Sequence, residues 1–268
     1  MRILITGANG FIGTHLTHYF QSRGDTVVAL CRSGKLDNNL AEVYQWELGE
    51  KIPASAVENI HCVIHLAHDF EGDKGAQKTL QASCENICIL SDMGIPRQLF
   101  FSSYSAGEHA SSLYGATKYA IERAIKDLPG VVIVRPGLVL GDSGIYGRIT
   151  RMAKKLPIIG LPDGGHGVVP VIDIHRLCEE TYKLSKSNTS SEANIFEPQL
   201  KSLRSLVIAA ASQANKNPII INIPSVLILA LLKLLGFLPI KLPVNADNLR
   251  GFLANQHAQH QSTIADKT

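Results

Sequence analysis

Short apolar runs alternate with longer amphipathic stretches over the first half of the chain. The short runs lack a strict alternation of polar and apolar residues, which is typical of strands buried on both faces. Strands are predicted at residues 2–5, 26–30, 43–48, 62–66, 99–102 and 131–135, and helices at residues 13–23, 74–93 and 113–128. This order predicts parallel βαβ units in a Rossmann-type, doubly wound α/β sheet, with a ligand beyond the carboxyl ends of the strands.

The alternation of short apolar runs and amphipathic stretches becomes less regular after Gly141. Glycine and proline cluster between residues 156 and 167. Helices are predicted at residues 174–185, 203–215 and 225–238, and returning strands at residues 168–172 and 194–196. We therefore expect a dinucleotide-binding domain at residues 1–142 and a small substrate-binding lobe at residues 143–254, interleaved with the sheet. The polar residues 255–268 are expected to form a frayed tail.

The strongest apolar stretch covers residues 219–240 and is interrupted by Pro224, Gly236 and Pro239. Its helical part, residues 225–238, is shorter than the roughly 20 residues needed to cross a bilayer, so no transmembrane span is predicted. We interpret it as a buried or interface helix; the alternative is a helix that lies on a membrane surface. The first residues run directly into a glycine turn, which predicts no signal peptide.

Composition narrows the class of protein further. Hydrophobic residues make up 45% and charged residues 18% of the 268 residues, which excludes a disordered chain. The net charge is +3 without a long block of like charges, so no nucleic-acid partner is predicted. The five cysteines form no CxxC pair, which indicates reduced thiols in a cytoplasmic protein and predicts no metal site.

A glycine turn follows the first predicted strand and opens the first predicted helix. It runs from Thr6 to Gly13 with the spacing GxxGxxG. Gly7 permits a tight turn, Gly10 lets the backbone approach a pyrophosphate, and Gly13 lets helix and strand pack closely. The amides and the dipole of the helix N-terminus favour phosphate, so the turn predicts a dinucleotide site.

The end of the second strand bears on which dinucleotide is bound. A carboxylate there would hold the ribose 2′-hydroxyl of NAD. Cys31 occupies that place, Arg32 follows it, and Lys35 is close in sequence. Because a guanidinium pairs well with a 2′-phosphate, this end favours NADP over NAD, unless Arg32 is an ordinary solvated arginine.

Candidate catalytic groups lie after the fifth strand. Tyr114 and Lys118 are four residues apart at a predicted helix start, which places them on one helix face. A nearby ammonium favours phenolate and so lowers the pKa of tyrosine, which suits proton exchange with a carbinol. Ser102 and Ser103 end the preceding strand, and Ser103 is placed to donate a hydrogen bond to a substrate carbonyl.

Taken in order, these segments resemble the extended branch of the short-chain dehydrogenase/reductase superfamily, the NAD(P)-dependent epimerases, dehydratases and reductases. The resemblance covers about residues 1–180 well and the remainder loosely. The matching segments are residues 6–13, 65–67, 101–103, 114–118 and 135–141. The ordered set is far more specific than any one of its members.

The resemblance implies a role for each matching residue. Tyr114 is then the acid/base, Lys118 binds the nicotinamide ribose and tunes Tyr114, and Ser103 positions the reacting carbonyl, with Ser102 as the alternative. The residues implied in cofactor binding are Gly7, Gly10, Phe11, Ile12, Gly13, Arg32, Leu66, Ala67, Tyr114 and Lys118. The helix at 74–93 and the helix after Tyr114 pair into a dimer interface in many relatives, which implies a homodimer.

The implied reaction moves a hydride to or from a carbinol or ketone of a sugar-type substrate, expected to be a nucleotide-sugar. Tyr104 follows Ser103 where dehydratases carry an acid, which disfavours dehydration. Epimerase and reductase activity stay open. Two other hypotheses remain: a non-catalytic dinucleotide-binding or assembly subunit, and a ketoreductase of an apolar substrate.

Overall fold

The computed structural model describes residues 1–36, 41–187, 191–235, 246–255 and 260–264. In chain order its strands are β1 Arg2–Thr6, β2 Thr26–Cys31, β3 Glu42–Gln45, β4 Cys62–His65, β5 Gln98–Phe101, β6 Val131–Pro136, β7 Leu138–Leu140, β8 Ile158–Pro162, β9 Val168–Val169, β10 Val171–Asp173, β11 Glu192–Ile195, β12 Lys201–Ser202 and β13 Ile219–Ile223. Its helices are α1 Phe11–Ser22, α2 Ala54–Val57, α3 Gly72–Asp92, α4 Leu113–Ile125, α5 Gly144–Lys155, α6 Ile174–Lys186, α7 Leu203–Ser212, α8 Ser225–Leu235 and α9 Ala246–Asn255.

Seven strands of the described chain form the central sheet, in the order β11-β6-β5-β4-β1-β2-β3. Every pairing in it is parallel, as predicted. β2 and β3 lie on one side of β1, and β4, β5 and β6 lie on its other side. The direction in which the chain adds strands therefore reverses between β1 and β4. The carboxyl ends of these two strands therefore form the crevice in which sheets of this kind bind ligands.

Hydrophobic cores cover both faces of the sheet. Ile3 and Ile5 of β1 are fully buried in one cluster with Phe20 of α1. Leu4, whose side chain points to the opposite face, packs in a second cluster with Leu90 of α3. Burial on both faces explains why the strand sequences are continuously apolar, and it confirms the predicted doubly wound α/β fold.

Shorter strand pairs build the second half. β7 pairs with β10 and β8 with β13 in parallel, and β9 pairs with β12 antiparallel. The strand predicted at 168–172 is split at Pro170, which has no amide to donate and whose carbonyl accepts from the Leu138 amide at 2.8 Å. α5, α9, β7, β8 and β13 were not predicted, because their residues lie among glycines and prolines or in an apolar run with no clear period.

The strand and helix boundaries differ from prediction in a few places. The strand expected at 43–48 is Glu42–Gln45, because the buried Trp46 turns inward and its indole Nε1 donates to the Glu50 carbonyl at 3.0 Å. The helix expected at 225–238 is described as Ser225–Leu235, and its last three residues lie outside the described residues. Along the described ranges, no helix combines the length and apolar character needed to span a membrane.

The expectation of a frayed tail from residue 255 is wrong for residues 260–264. The Thr263 amide donates to the Asn194 carbonyl of β11 at 2.9 Å, and the Asn194 side chain donates to the Gln261 carbonyl at 2.9 Å. Ile264 is buried in the same core as β1. The segment is otherwise polar, so the sequence did not indicate that Ile264 would be buried. The other tail residues, except Asn255 at the end of α9, lie outside the described residues.

Candidate active site

The glycine turn connects β1 to α1 under tight steric limits. Gly7 has φ +67°, and a Cβ there would meet the Ala67 amide nitrogen at 3.0 Å. A Cβ on Gly13 would lie 2.4 Å from the Gly7 carbonyl oxygen, and one on Gly10 would lie 3.2 Å from the same atom. A side chain at any of the three positions would crowd neighbouring backbone atoms. Glycine therefore suits all three positions and leaves the backbone of the turn open to a ligand.

The N-terminus of α1 is suited to an anion. Gly10 is the N-cap and supplies no side-chain hydrogen bond, and the first turn contains no acidic residue. Phe11 packs against Gly141, where a Cβ would meet its ring at 2.6 Å, and Ile12 packs against the main core. The amides of the first turn and the helix dipole therefore fit the pyrophosphate of a dinucleotide.

The end of β4 is fastened to the glycine turn. The Thr6 hydroxyl oxygen accepts hydrogen bonds from the amides of Leu66 and Ala67, at 3.1 and 3.2 Å. Together with the contact between Gly7 and Ala67, these bonds place Leu66 and Ala67 along one side of the predicted dinucleotide crevice.

The end of β2 lies beside the same turn, because the Ala8 amide donates to the Leu30 carbonyl at 3.3 Å. Cys31 is buried and Arg32 is exposed. Just beyond, Asn9, Ser33 and Lys35 help to line a cavity of about 160 Å³. The described part of this region has hydroxyl, amide and ammonium groups, and Cys31 rather than a carboxylate ends β2.

Tyr114 and Lys118 lie on one face of α4, as the spacing predicts. The start of this helix is held by a residue far along the chain: the Asp247 carboxylate of α9 accepts from the amides of Leu113 and Tyr114, at 2.7 and 3.3 Å. Ser112 is the N-cap and its hydroxyl oxygen accepts from the Gly115 amide. Both interactions fix the first turn, which carries Tyr114.

Aromatic rings from the loop after β4 surround Tyr114. The His68 ring meets it edge to face at a centroid distance of 4.8 Å, and the Phe70 ring stacks on it at 6.0 Å. The His68 Nδ1 atom is buried and has no hydrogen-bond partner among the described residues. Burial lowers the pKa of His68 to about 3, so the imidazole beside the phenol is neutral at physiological pH.

Lys118 is 2% exposed, and its ammonium donates to the Phe101 carbonyl of β5 at 2.7 Å. The Nζ atom lies 4.7 Å from the centroid of the Phe100 ring and 5.9 Å from that of Tyr114. Burial lowers the pKa of Lys118 to about 7, while Glu122 opposes that shift.

The pKa of Tyr114 moves opposite to the direction we expected. Burial raises it to about 12, because the surrounding rings remove water that would stabilise the phenolate. Lys118 does not offset this in the described arrangement, since its ammonium is directed to the Phe101 carbonyl. A group that brings polar atoms to the phenol would be needed to lower its pKa.

The two candidate serines have different surroundings. Ser102 is buried and its hydroxyl donates to the Glu122 carboxylate. Ser103 is only partly buried; its Oγ accepts from the Ser105 amide at 3.2 Å and lies 2.9 Å from the Ser105 Oγ. Ser103 is therefore the member of the pair whose hydroxyl is not bound to a buried carboxylate.

A buried ion pair beneath the site was missed by the sequence reasoning. Arg135 of β6 donates to both carboxylate oxygens of Glu122, at 2.9 and 2.6 Å, and also to Glu192 at 2.8 Å. Burial lowers the pKa of Arg135, but the two carboxylates raise it by more. The pKa of Arg135 is therefore raised overall. The only signal in the sequence was that Glu122 lies one helical turn after Lys118.

The fold and this site define a dinucleotide-dependent enzyme family. The chain belongs to the NAD dependent epimerase/dehydratase family, whose model matches residues 3–159. The match confirms the predicted Rossmann-type fold and the predicted extended short-chain dehydrogenase/reductase resemblance. The predicted enzyme was an NAD(P)-dependent epimerase or reductase, and the match confirms it at the level of an NAD-dependent epimerase/dehydratase family.

Particular relatives give a closer comparison. CDP-abequose synthase from Salmonella muenchen is 39% identical over 175 residues, which cover 59% of this chain and 58% of that protein, so the alignment spans less than two thirds of the relative. MoeE5 in complex with UDP-glucuronic acid and NAD superposes with a TM-score of 0.72 at 19% identity, covering 84% of this chain and 86% of that one. The UDP-glucose 4-epimerase of Thermotoga maritima, solved with UDP-glucose, gives 0.70 at 19% identity, covering 84% and 86%.

Proposed function

We propose that this protein transfers a hydride between a nicotinamide cofactor and a carbinol or ketone of a nucleotide-sugar. One observation carries the proposal. Ala67 contacts Gly7 of the glycine turn, while His68, the next residue, contacts the Tyr114 ring. The phenol and the turn that would hold the dinucleotide are thereby joined by two consecutive residues at the carboxyl edge of the sheet.

Each residue of the site has a distinct task in this proposal. A bound nicotinamide supplies or accepts the hydride at the substrate carbon. Tyr114 gives its hydroxyl proton to the carbonyl oxygen during reduction, or takes the proton from the carbinol during oxidation. Ser103 donates a hydrogen bond to the same oxygen, and Lys118 turns from the Phe101 carbonyl to the cofactor ribose and stabilises the phenolate.

The sugar-nucleotide class of substrate is supported by the relatives. The two structures compared above hold UDP-glucuronic acid or UDP-glucose, and the Salmonella relative is named for a CDP-linked sugar. The neutral His68 Nδ1, buried beside Tyr114 without a partner, suits a hydrogen bond from a sugar hydroxyl. No acid follows Ser103, so reduction or epimerisation is favoured over dehydration.

NADP is the proposed form of the cofactor, with NAD as the alternative. Arg32 is exposed at the end of β2, where a residue that recognises the 2′ position would lie. Ser33 and Lys35 add a hydroxyl and an ammonium beside it. Arg32→Ala is expected to weaken NADPH binding while leaving NADH binding unchanged; equal NADPH affinity in the variant and the wild type would overturn the preference.

The catalytic assignment is tested with Tyr114→Phe. The variant is expected to lose turnover of a nucleoside-diphosphate-linked keto sugar and to keep dinucleotide binding, measured by fluorescence titration. Following NADPH absorbance separates a reductase, which consumes NADPH in proportion to product, from an epimerase, which does not. Unchanged turnover in Tyr114→Phe would exclude Tyr114 as the acid/base. Binding of NADPH without turnover of any such sugar in the wild type would favour a non-catalytic subunit.

A cytoplasmic homodimer completes the proposal. All five cysteines are free in the structure, which suits a reducing compartment. Ile89 and Met93, on and next to α3, are 52% and 55% exposed, so the predicted dimer helix presents apolar side chains. Light scattering after size exclusion is expected to give twice the chain mass for the wild type and the chain mass for Ile89→Glu.

A further inference from the structure

A small sheet in the second half of the chain has one covered face and one face left bare by the described residues. β8 and β13 pair in register, with Ile158 opposite Ile219. Ile159 and Leu161 point into a core formed with α5 and α7. Alternation along the strands therefore sends Ile158, Ile219, Ile221 and Ile223 to the other face.

The bare face is apolar and open to solvent. Ile158 is 51% exposed, Ile219 66% and Ile221 48%. The Ile223 side chain lies over Gly160, where a Cβ would meet it at 2.3 Å. The surface above Gly160 is therefore also formed by an isoleucine side chain. We call this surface, with the exposed Leu156 beside it, the isoleucine face.

Helix α8 follows directly after Pro224 and adds to the exposed apolar surface. Val226 is 73% exposed, Leu227 60% and Leu231 54%. Nine of its 11 residues are apolar, the exceptions being Ser225 and Lys233, and α9 is its principal neighbour among the described elements. Its 11 residues span about 16 Å, which is too short to cross a bilayer but long enough to lie along its surface.

Basic residues border the isoleucine face. Lys154 and Lys155 end α5 just before β8, and Lys216 precedes β13; all three are exposed. Because the two strands are parallel, these lysines lie at one common edge. The segments 143–162 and 198–246 together contain nine lysines and arginines and no aspartate or glutamate.

We propose that the isoleucine face and α8 dock on the surface of a membrane that contains anionic lipids. The isoleucines and leucines enter the boundary between headgroups and acyl chains, while the lysines at the edge meet the anionic headgroups. A second copy of this chain, docked face to face through the same surface, is a poorer occupant, since it would bring further lysines and, as a carboxylate next to β8, only Asp163, which already accepts from the Ser225 amide. The docking surface goes beyond the proposed catalytic function and does not depend on it.

Vesicle sedimentation with the full chain tests the proposal. We expect binding to vesicles of phosphatidylcholine with 30% phosphatidylglycerol, little binding to phosphatidylcholine alone, and release at 0.5 M NaCl. Lys154→Glu/Lys155→Glu is expected to weaken binding at least tenfold, since each lysine near an anionic surface contributes about fivefold. Ile219→Ser is expected to weaken binding to a similar extent by removing apolar contact with the bilayer.

Matched variants control for charge and for hydrophobicity. Lys51→Glu/Lys74→Glu makes the same charge change at exposed positions in the first half of the chain. Ile208→Ser removes an exposed isoleucine from α7, a helix on the opposite side of the small core. Both controls are expected to bind anionic vesicles as the wild type does.

Three results would overturn the proposal. The first is no binding to anionic vesicles, and the second is equal loss in the control variants. The third is an oligomer that does not bind vesicles and that Ile219→Ser dissociates in light scattering, which would assign the face to a second copy. Loss of vesicle binding with unchanged NADPH binding in Ile219→Ser separates this inference from the catalytic proposal.

Discussion

Replacing Lys118 with methionine should stabilise the protein near neutral pH while removing the proposed catalytic ammonium. Lys118 is almost fully buried, and burial lowers its pKa from an ordinary 10.5 to about 7. The folded protein therefore holds this proton less tightly than the unfolded chain. Methionine has nearly the same length and shape, and it carries no charge to desolvate.

The magnitude follows from the change in pKa. A difference of this size corresponds to roughly 5 kcal/mol of unfolding free energy that the buried ammonium costs when both states are protonated. Losing the hydrogen bond to the Phe101 carbonyl and leaving that oxygen buried would cost about 1–3 kcal/mol. Lys118→Met should therefore gain about 2–4 kcal/mol of stability at or below pH 7.

The sign of the pH dependence is fixed by the same difference. Because the pKa of Lys118 is lower in the folded state, this residue binds more protons in the unfolded chain between pH 7 and pH 10.5, and its contribution to stability rises with pH across that range. The buried thiols of Cys62 and Cys178, whose pKa is raised to about 12, act in the opposite direction above about pH 9, equally in both proteins. The advantage of Lys118→Met should shrink over the same range. The pKa of Tyr114 is raised to about 12, so its contribution to stability falls with pH, but only above pH 10. This effect is equal in the wild type and in Lys118→Met.

Urea unfolding of both proteins at pH 6.5, 8 and 9.5, without added dinucleotide, measures the effect. Lys118→Met is expected to have the higher midpoint at pH 6.5 and a smaller lead at pH 9.5. A destabilised variant at pH 6.5, or a difference that does not change with pH, would refute the buried-ammonium account. The same variant should lose substrate turnover. The buried ammonium of Lys118 would then lower stability while being required for activity.

Two further substitutions test the packing around the site. Gly13→Ala should destabilise the protein by about 2 kcal/mol and weaken NADPH binding, because its Cβ would lie 2.4 Å from a backbone oxygen; Gly107→Ala, where the Cβ meets nothing within 4 Å, is the thermal-unfolding control. Glu122→Gln should cost about 3 kcal/mol, because it removes the buried partner of Arg135 and leaves only the half-exposed Glu192 carboxylate to neutralise that guanidinium. Glu192→Gln, at a carboxylate 50% exposed, should cost under about 1 kcal/mol, and equal midpoints for the two in urea would contradict this reasoning.

Local patterns account for the parts of the site that were predicted. The turn from Gly7 to Gly13 and the spacing of Tyr114 and Lys118 are short-range features, so strand and helix periodicity place them without knowledge of distant contacts. The central sheet was predictable for the same reason, since its strands are short apolar runs between helices. The weaker strand at 43–48 was shortened by the burial of one side chain, Trp46.

Long-range contacts account for what was missed. Asp247 caps the helix of Tyr114 from 134 residues away. The pair of Glu122 and Arg135 forms only when α4 packs against β6, and the direction of the pKa of Tyr114 depends on rings that the loop after β4 brings to it. No periodicity in the sequence encodes such partners, because each depends on how separate elements pack.

The Asp247 carboxylate makes the start of α4 depend on α9, a distant segment of the chain. The first half contains the nucleotide turn, the tyrosine and the lysine, yet two amides at the start of α4 find their acceptor only in α9. A shortened chain that stops before residue 246 would lose this acceptor even if its sheet folded. The two freed amides belong to the first turn of α4, so the turn that carries Tyr114 would lose the contact that fixes it.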